Sequence, residues 1–229
     1  MREIKIAPSI LAWDLGNLEK AVEISVEGGA DQVHLDVIDG HFAPNITFGP
    51  GTVRALRRLT DLKFDTHLMI EDPLTYADKF LDAGSDLLTV HAEVMTGRTF
   101  DELSRGVKRK GKEVGLAIKP RTGLPTWARD RLDRISTLVV MTVNPGFSGQ
   151  SMDMSVFPKL QKISELVRKM GTGNDIEIDG GVEPENVNEV VSRGGNVLVA
   201  GAGVYAKKDP VGAIGVLREE AEKARRPGQ

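Results

Sequence analysis

The chain has 229 residues, with 33 acidic against 30 basic side chains and a formal net charge of -3. No global basic field exists to hold a polyanion, which argues against nucleic-acid binding, and the absence of cysteine removes disulfides, thiolate metal ligands and a thiol nucleophile. Composition does not shift along the chain, no run of eighteen apolar residues occurs, and Met1 to Ile6 lacks a signal-type apolar stretch. A soluble cytoplasmic protein with no membrane partner, forming one domain over residues 1–229, is therefore expected.

Short apolar runs of strand character alternate with amphipathic stretches of helical spacing. The pattern predicts a strand over Ile4–Ile10, a helix over Asn17–Glu27, and then strands over Gln32–Val37, Lys63–Met69, Leu87–His91, Glu113–Ile118, Thr137–Val143, Asp175–Asp179 and Asn196–Ala200. Each strand is followed by a helical segment. Between Ser155 and Met170, the apolar positions Val156, Leu160, Ile163, Val167 and Met170 keep helical spacing, with Pro158 tolerated in the first turn. A recurring junction marks the step from helix to strand: Gly28-Gly29-Ala30-Asp31, Ala83-Gly84-Ser85-Asp86 and Gly194-Gly195-Asn196 each precede a buried strand. The charged tail from Glu219 to Gln229 is expected to fray. About eight strands in such alternation predict an α/β fold, a single (β/α)8 TIM barrel, with a doubly wound open sheet as the rival. Aromatics are only 5% of the chain, so the core is expected to be mostly Val, Ile, Leu and Ala, as barrel interiors prefer.

On a strand, residues two apart face the same side, so His34 and Asp36 project together. His67 and Asp179 lie near the C-terminal ends of two further strands, the end at which barrel chemistry sits. Two neutral imidazoles and two carboxylates form an N/O site for one divalent ion such as zinc, iron(II), manganese or cobalt. The plain alternative is that the histidines are satisfied core residues. The acids weigh against it: charged and inward, with no Lys or Arg on Val33–Val37, Phe64–Met69 or Asp175–Asp179, they would be expensive to bury without a cation. His41 and His91 are expected to be structural or to support the ligands from behind, although Glu93 follows His91.

Asn144-Pro145-Gly146-Phe147-Ser148-Gly149-Gln150 follows the sixth strand, Gly180-Gly181 the seventh and Gly201-Ala202-Gly203 the eighth. Glycines let main-chain N–H groups approach an anion, and the loops after strands seven and eight are the usual phosphate seat of a barrel, although Pro-Gly is also an ordinary turn. The segment from Asn144 to Met154 is a candidate lid. Metal and phosphate together suggest proton abstraction beside the carbonyl of a phosphorylated sugar. Asp36 and Asp179 would stand on opposite faces as acid/base pair, and inversion of the carbon would follow.

These residues closely resemble the ribulose-phosphate 3-epimerase family. The likeness runs from Ile6-Ala7-Pro8-Ser9-Ile10-Leu11 through His34-Leu35-Asp36-Val37-Ile38-Asp39-Gly40-His41-Phe42, Pro44-Asn45-Ile46-Thr47-Phe48-Gly49 and His67-Leu68-Met69. It continues through Met141-Thr142-Val143-Asn144-Pro145-Gly146-Phe147 and Glu177-Ile178-Asp179-Gly180-Gly181 to Val199-Ala200-Gly201. The resemblance implies a ribulose-phosphate-binding barrel that interconverts D-ribulose 5-phosphate and D-xylulose 5-phosphate, with ligands His34, Asp36, His67 and Asp179. It also implies Ser9 hydrogen-bonding at the substrate, Met69 and Met141 beside the reacting carbons, and a homo-oligomer, dimer or hexamer. Four positions depart from the family pattern: Ile38 stands where a methionine is usual, Ser148 for a glycine, Ala202 for a serine, and Trp13 is unusual and either narrows the pocket or packs under the first loop. A 3-epimerase of a ketohexose 6-phosphate such as D-allulose 6-phosphate resembles the same motifs, and a non-catalytic phosphosugar-binding barrel is a third reading. Barrels of the decarboxylase and hexulose-phosphate synthase kind favour Asp-x-Lys-x-x-Asp, and Asp36-Val37-Ile38-Asp39-Gly40 carries no lysine.

Overall fold

The computed structural model describes residues 2–225. Eight parallel strands alternate with helices: β1 (Lys5–Pro8), β2 (Gln32–Ile38), β3 (Lys63–Met69), β4 (Leu87–His91), β5 (Glu113–Ile118), β6 (Thr137–Met141), β7 (Asp175–Asp179) and β8 (Val197–Ala200). They pair in the order β1-β8-β7-β6-β5-β4-β3-β2, and the bridge Ser9↔His34 draws the two ends of that sheet together into a (β/α)8 barrel rather than an open sheet. The helices are α1 (Leu18–Glu27), α2 (Pro50–Arg57), α3 (Pro73–Ala83), α4 (Gly97–Arg109), α5 (Thr126–Arg129), α6 (Phe157–Met170), α7 (Val187–Ser192), α8 (Ala202–Tyr205) and α9 (Pro210–Arg225).

Local chemistry sets these boundaries. Asp72 caps α3 by accepting from the Thr75 N–H, with Pro73 in the first turn where no N–H partner is needed. Thr96 and Thr99 cap α4 reciprocally. The helix-to-strand junctions turn on Gly29, Gly84 and Gly194, all at positive φ, as their position ahead of buried strands predicts.

Three expectations need correction. The strand expected over Ile4–Ile10 spans only Lys5–Pro8, and Ile10–Ala12 coils into a 3-10 turn; unbroken apolar sequence does not tell a strand end from a buried turn. The sixth strand stops at Met141, because Thr142 turns its hydroxyl onto the carbonyls of Asp179 and Gly180. Glu219–Arg225, expected to fray, is the last part of α9, which buries Leu217 and Ala221, and residues 226–229 lie outside the described part.

The core is mostly Val, Ile, Leu and Ala, as expected. The main apolar core lies between sheet and helices, holding the outward residues Val33, Leu35 and Val37 of β2 and Phe64 and Leu68 of β3. Inside the barrel are two small apolar groups, Ala7 with Val197 and Val199, and Ile38 with Ala43, Met69 and Met141. Between them the interior is polar: His34, Asp36, Asp65, His67, Thr89, His91, Glu177 and Asp179 are all buried.

Candidate metal and acid/base centre

Strand register assembles the centre. β2 and β3 pair His34 with Asp65 and Asp36 with His67, β6 and β7 pair Met141 with Asp179, and alternation turns these side chains inward. One atom from each of His34, Asp36, His67 and Asp179 lies within 4.8 Å of the others. His34 Nε2 is 3.4 Å from Asp36 Oδ1 and 4.0 Å from Asp179 Oδ2, while His67 Nδ1 is 3.2 Å from Asp179 Oδ2 and 3.9 Å from Asp36 Oδ1. Four ligands held about 2.1 Å from a tetrahedral ion would stand about 3.4 Å apart, so the spacing fits.

Hydrogen bonding gives an independent test of that fit. His34 Nε2, His67 Nδ1 and Asp179 Oδ2 are buried and have no hydrogen-bond partner among the described residues, a costly arrangement unless a cation takes their lone pairs. Their ring and carboxylate partners are held from behind. His34 Nδ1 lies 2.8 Å from Asp65 Oδ2, so its N–H donates there and Nε2 is the nitrogen turned toward the cluster. Ser9 Oγ donates to Asp36 Oδ2 at 2.5 Å and leaves Oδ1 turned into the cluster.

Electrostatics follow from the crowding. With no ion in the cluster, burial opposes charge on His34, but the carboxylates of Asp65 and Asp36 outweigh it and hold its pKa well above the usual 6.5; a cation there would take the place of the Nε2 proton. Burial would push the Asp36 carboxyl up, yet His34, His67 and the Ser9 hydroxyl bring it down to about 2, so this acid stands ionised. Glu177, deep in the barrel beside Asp65, is pushed well above the carboxylate range by burial and by that neighbouring charge. The same inward alternation carries Asp65, two residues before His67, and Glu177, two before Asp179. Sequence reasoning missed both, although the i, i+2 rule that found His34 and Asp36 reaches them.

A cavity of about 250 Å³ opens at the C-terminal end of the strands. Ser9, Asp36, Ile38, Met69, Met141 and Asp179 line its floor and walls; His67 lies beneath the floor and touches the site only through the cluster. Gly146, Phe147, Ser148, Gly149, Gly180, Gly181, Gly201 and Ala202 line the far end, so the three glycine-bearing loops do converge, and no Lys or Arg is among the lining residues. The fit there is steric: Gly181 has φ +63, and a Cβ on it would stand 2.5 Å from the Met152 nitrogen and 2.8 Å from the Gln150 carbonyl. The loop after β6 is tied to itself by Gln150 Nε2, which donates to the Asn144 and Phe147 carbonyls, and to the β2 loop by Asn45 Nδ2 donating to the Gly146 carbonyl. Asn186 and Glu183 join this end without having been foreseen. Asn186 Nδ2 donates to the Gly181 carbonyl, and Glu183 pairs with Lys207 at 2.8 Å.

Trp13 does not line the cavity. It packs under the first loop against Tyr205, ring centroids 5.7 Å apart, whereas Ile38 does face the cavity. His41 is exposed, its ring nitrogen near the Asp39 carbonyl. His91 is buried, and its Nδ1 lies 3.0 Å from Glu93 Oε2. Burial, more than Glu93 offsets, lowers His91 to about 4 and keeps it neutral; Glu93, which burial alone would raise, is brought down to about 2 by His91, Thr122 and the Lys119 N–H.

A sequence profile described as the ribulose-phosphate 3 epimerase family matches residues 5–205. Among curated proteins, ribulose-phosphate 3-epimerase of Bacillus subtilis is 41% identical over 216 residues, covering 94% of this chain and 98% of that protein. The chloroplastic ribulose-5-phosphate-3-epimerase of Arabidopsis thaliana is 40% identical, covering 93% of this chain and 75% of that one. Among solved structures, 3-hexulose-6-phosphate synthase from Salmonella typhimurium superposes with a TM-score of 0.68 at 18% identity, over 96% of this chain and 100% of that one. 3-Keto-L-gulonate-6-phosphate decarboxylase from Vibrio cholerae does so with 0.69 at 15%, over 97% and 99%. At that identity these two share the fold alone.

Proposed function

The chain belongs to the ribulose-phosphate 3-epimerase family, and from that premise we propose how its residues interconvert D-ribulose 5-phosphate and D-xylulose 5-phosphate. The chain is an epimerase of the pentose phosphate pathway. The observation that carries the assignment of roles is the meeting, in one cavity, of carboxylates from β2 and β7 and glycine loops that leave room for an anion, directly above three orphaned ligand atoms.

In this reading the sugar lies with its phosphate against the main chain of Gly146 to Gly149, Gly180-Gly181 and Gly201-Ala202, where N–H groups are the donors. Asp36 and Asp179 flank carbon 3; one carboxylate accepts its proton and the other delivers a proton to the opposite face, which inverts the centre. Ser9, through its hydrogen bond to Asp36 Oδ2, fixes which oxygen of that acid faces the sugar. Met69, Met141 and Ile38 form an apolar wall that keeps water from the carbanion-like carbon. His34, His67, Asp36 and Asp179 would hold one divalent ion, and such an ion supplies positive charge to offset the oxyanion that develops on the sugar. Mixed imidazole and carboxylate ligands suit zinc, iron(II), manganese or cobalt. The loop 144–154 is assigned as a lid over the phosphate, which predicts that substrate protects it from proteolysis. No helix among the described residues is long and apolar enough to cross a membrane, and a cytoplasmic homo-oligomer, dimer or hexamer, is the proposed form.

The deciding experiment is a coupled assay of metal-analysed protein with D-ribulose 5-phosphate beside D-allulose 6-phosphate in deuterated solvent. Rapid epimerisation of the pentulose with deuterium at carbon 3 is the expected result. Preference for the hexulose would replace the substrate, and one bound metal with no exchange in either sugar would refute the catalytic roles.

A further inference from the structure

His91 is buried, is none of the four proposed ligands, and yet abuts one. Its Nε2 lies 3.0 Å from His67 Nε2, and the two ring planes differ by 14° with centroids 5.0 Å apart. Two nearly parallel rings whose nearest nitrogens are 2.0 Å closer than their centroids (5.0 less 3.0) meet edge to edge, in the plane where a ring N–H and a ring lone pair point. Phe42 covers His91 from the side, centroids 4.5 Å apart, and Lys119 Nζ stands 3.7 Å over the Phe42 ring. The contact is sealed from solvent.

The direction of every bond in this chain is determined from its outer end. The Lys119 main-chain N–H donates to Glu93 Oε1 at 2.8 Å, and the turn carrying it is pinned by Lys159 Nζ, which donates to the carbonyls of Lys119, Pro120 and Thr122. Glu93 Oε2 is 3.0 Å from His91 Nδ1, and an ionised carboxylate only accepts, so His91 donates from Nδ1. A neutral imidazole with its proton on Nδ1 has a lone pair on Nε2. His67 must then donate from Nε2, which leaves the His67 Nδ1 lone pair aimed, without a partner, at the cluster beside Asp179.

We propose that Glu93 and His91 are positioning residues that fix the proton of His67 on Nε2 and so commit its Nδ1 lone pair to the divalent ion. The inference rests on the assignment of His67 as a ligand and goes beyond it, because it names what makes the ring a ligand at the nitrogen that faces the site. It parallels Asp65, which performs the same office for His34 from a neighbouring strand. Here the task passes through a second imidazole.

Glu93→Gln tests the idea with almost no change in volume. The Lys119 N–H still needs an acceptor, so the new amide turns its oxygen there and its NH2 toward His91 Nδ1. The two bonds inward of residue 93 then reverse, and His67 carries its proton on Nδ1, against the cluster. Nitrogen-15 NMR of the ring nitrogens in metal-free wild type is expected to place protons on His91 Nδ1 and His67 Nε2. In Glu93→Gln both are expected to exchange sides, with manganese(II) affinity by calorimetric titration falling about 10–100-fold. A wild-type His67 with its proton on Nδ1 would overturn the proposal even if the variant failed to fold. So would a folded variant with unchanged protons and unchanged manganese affinity. Wild type that binds no manganese would refute the metal assignment instead, and the ring protons, read without metal, would still judge the relay.

Discussion

At the floor of the cavity and just beneath it, Asp36, Asp179, His34 and His67 reach inward as side chains from β2, β3 and β7, whereas at the far end the loops after β6, β7 and β8 present glycines and main chain with no Lys or Arg among the described lining residues. In the proposed reading the floor depends on chemical identity: each side chain offers a lone pair or a charge, and an isosteric change of one atom is expected to disable it. The far end depends on shape. Its groups are common to every residue, and its demand is that no Cβ intrude, as at Gly181.

The comparison breaks most sharply at the acids. Asp36→Asn and Asp179→Asn are each expected to lower kcat by about 10³–10⁴-fold in the coupled assay while circular dichroism stays native. Near wild-type turnover in either variant would eliminate the two-base roles. His67→Ala should act through the ion, with activity returning as divalent metal is raised; loss that excess metal does not relieve would mean that the ring does more than ligate.

At the far end, Gly181→Ala carries strain at a positive φ and a clash with the loop backbone, and KM for the phosphosugar is expected to rise about 10–100-fold with kcat less affected. A fall in kcat at constant KM would move the phosphate away from this loop. The smallest effect lies behind the floor. Glu93 has a native pKa brought down to about 2 from an ordinary 4.5, so its contribution to stability is complete above the unfolded value and is lost as pH falls from there toward 2. Urea unfolding across that window should show a shallower acid slope in Glu93→Gln than in wild type; an unchanged slope would mean that Glu93 is not held as the hydrogen bonds indicate.

The same division explains what the sequence made legible. His34 and Asp36 announce themselves because alternation puts two unlike metal-capable side chains on one face, and glycines after strands seven and eight mark the proposed anion seat. Asp65 and Glu177 obey the same alternation but were passed over, since their compensation comes from other strands. Asp65 receives Gln32 Nε2 at 3.3 Å and His34 from β2, a matter of register that no local pattern contains. Glu93 follows His91 by two residues, yet it sits in a 3-10 turn beyond β4, so it returns to the His91 ring instead of pointing beside it. Trp13 was placed between two options, and the contact with Tyr205, 192 residues onward, chose the structural one.

The bridge from Ser9 to His34 lies at the seam of the barrel, where the ends of the sheet meet, and Ser9 also bonds Asp36. β1 can complete its place only by pairing with β8, through contacts such as Lys5↔Val197, and such distant pairing forms late in folding. During synthesis, which proceeds from the N-terminus, His34, Asp36 and His67 emerge long before Asp179. A growing chain therefore has an unfinished ligand set until β7 is made. Capture of the proposed ion by the full set would be a property of the finished barrel, so occupancy would reward completion and add binding energy to the closed form.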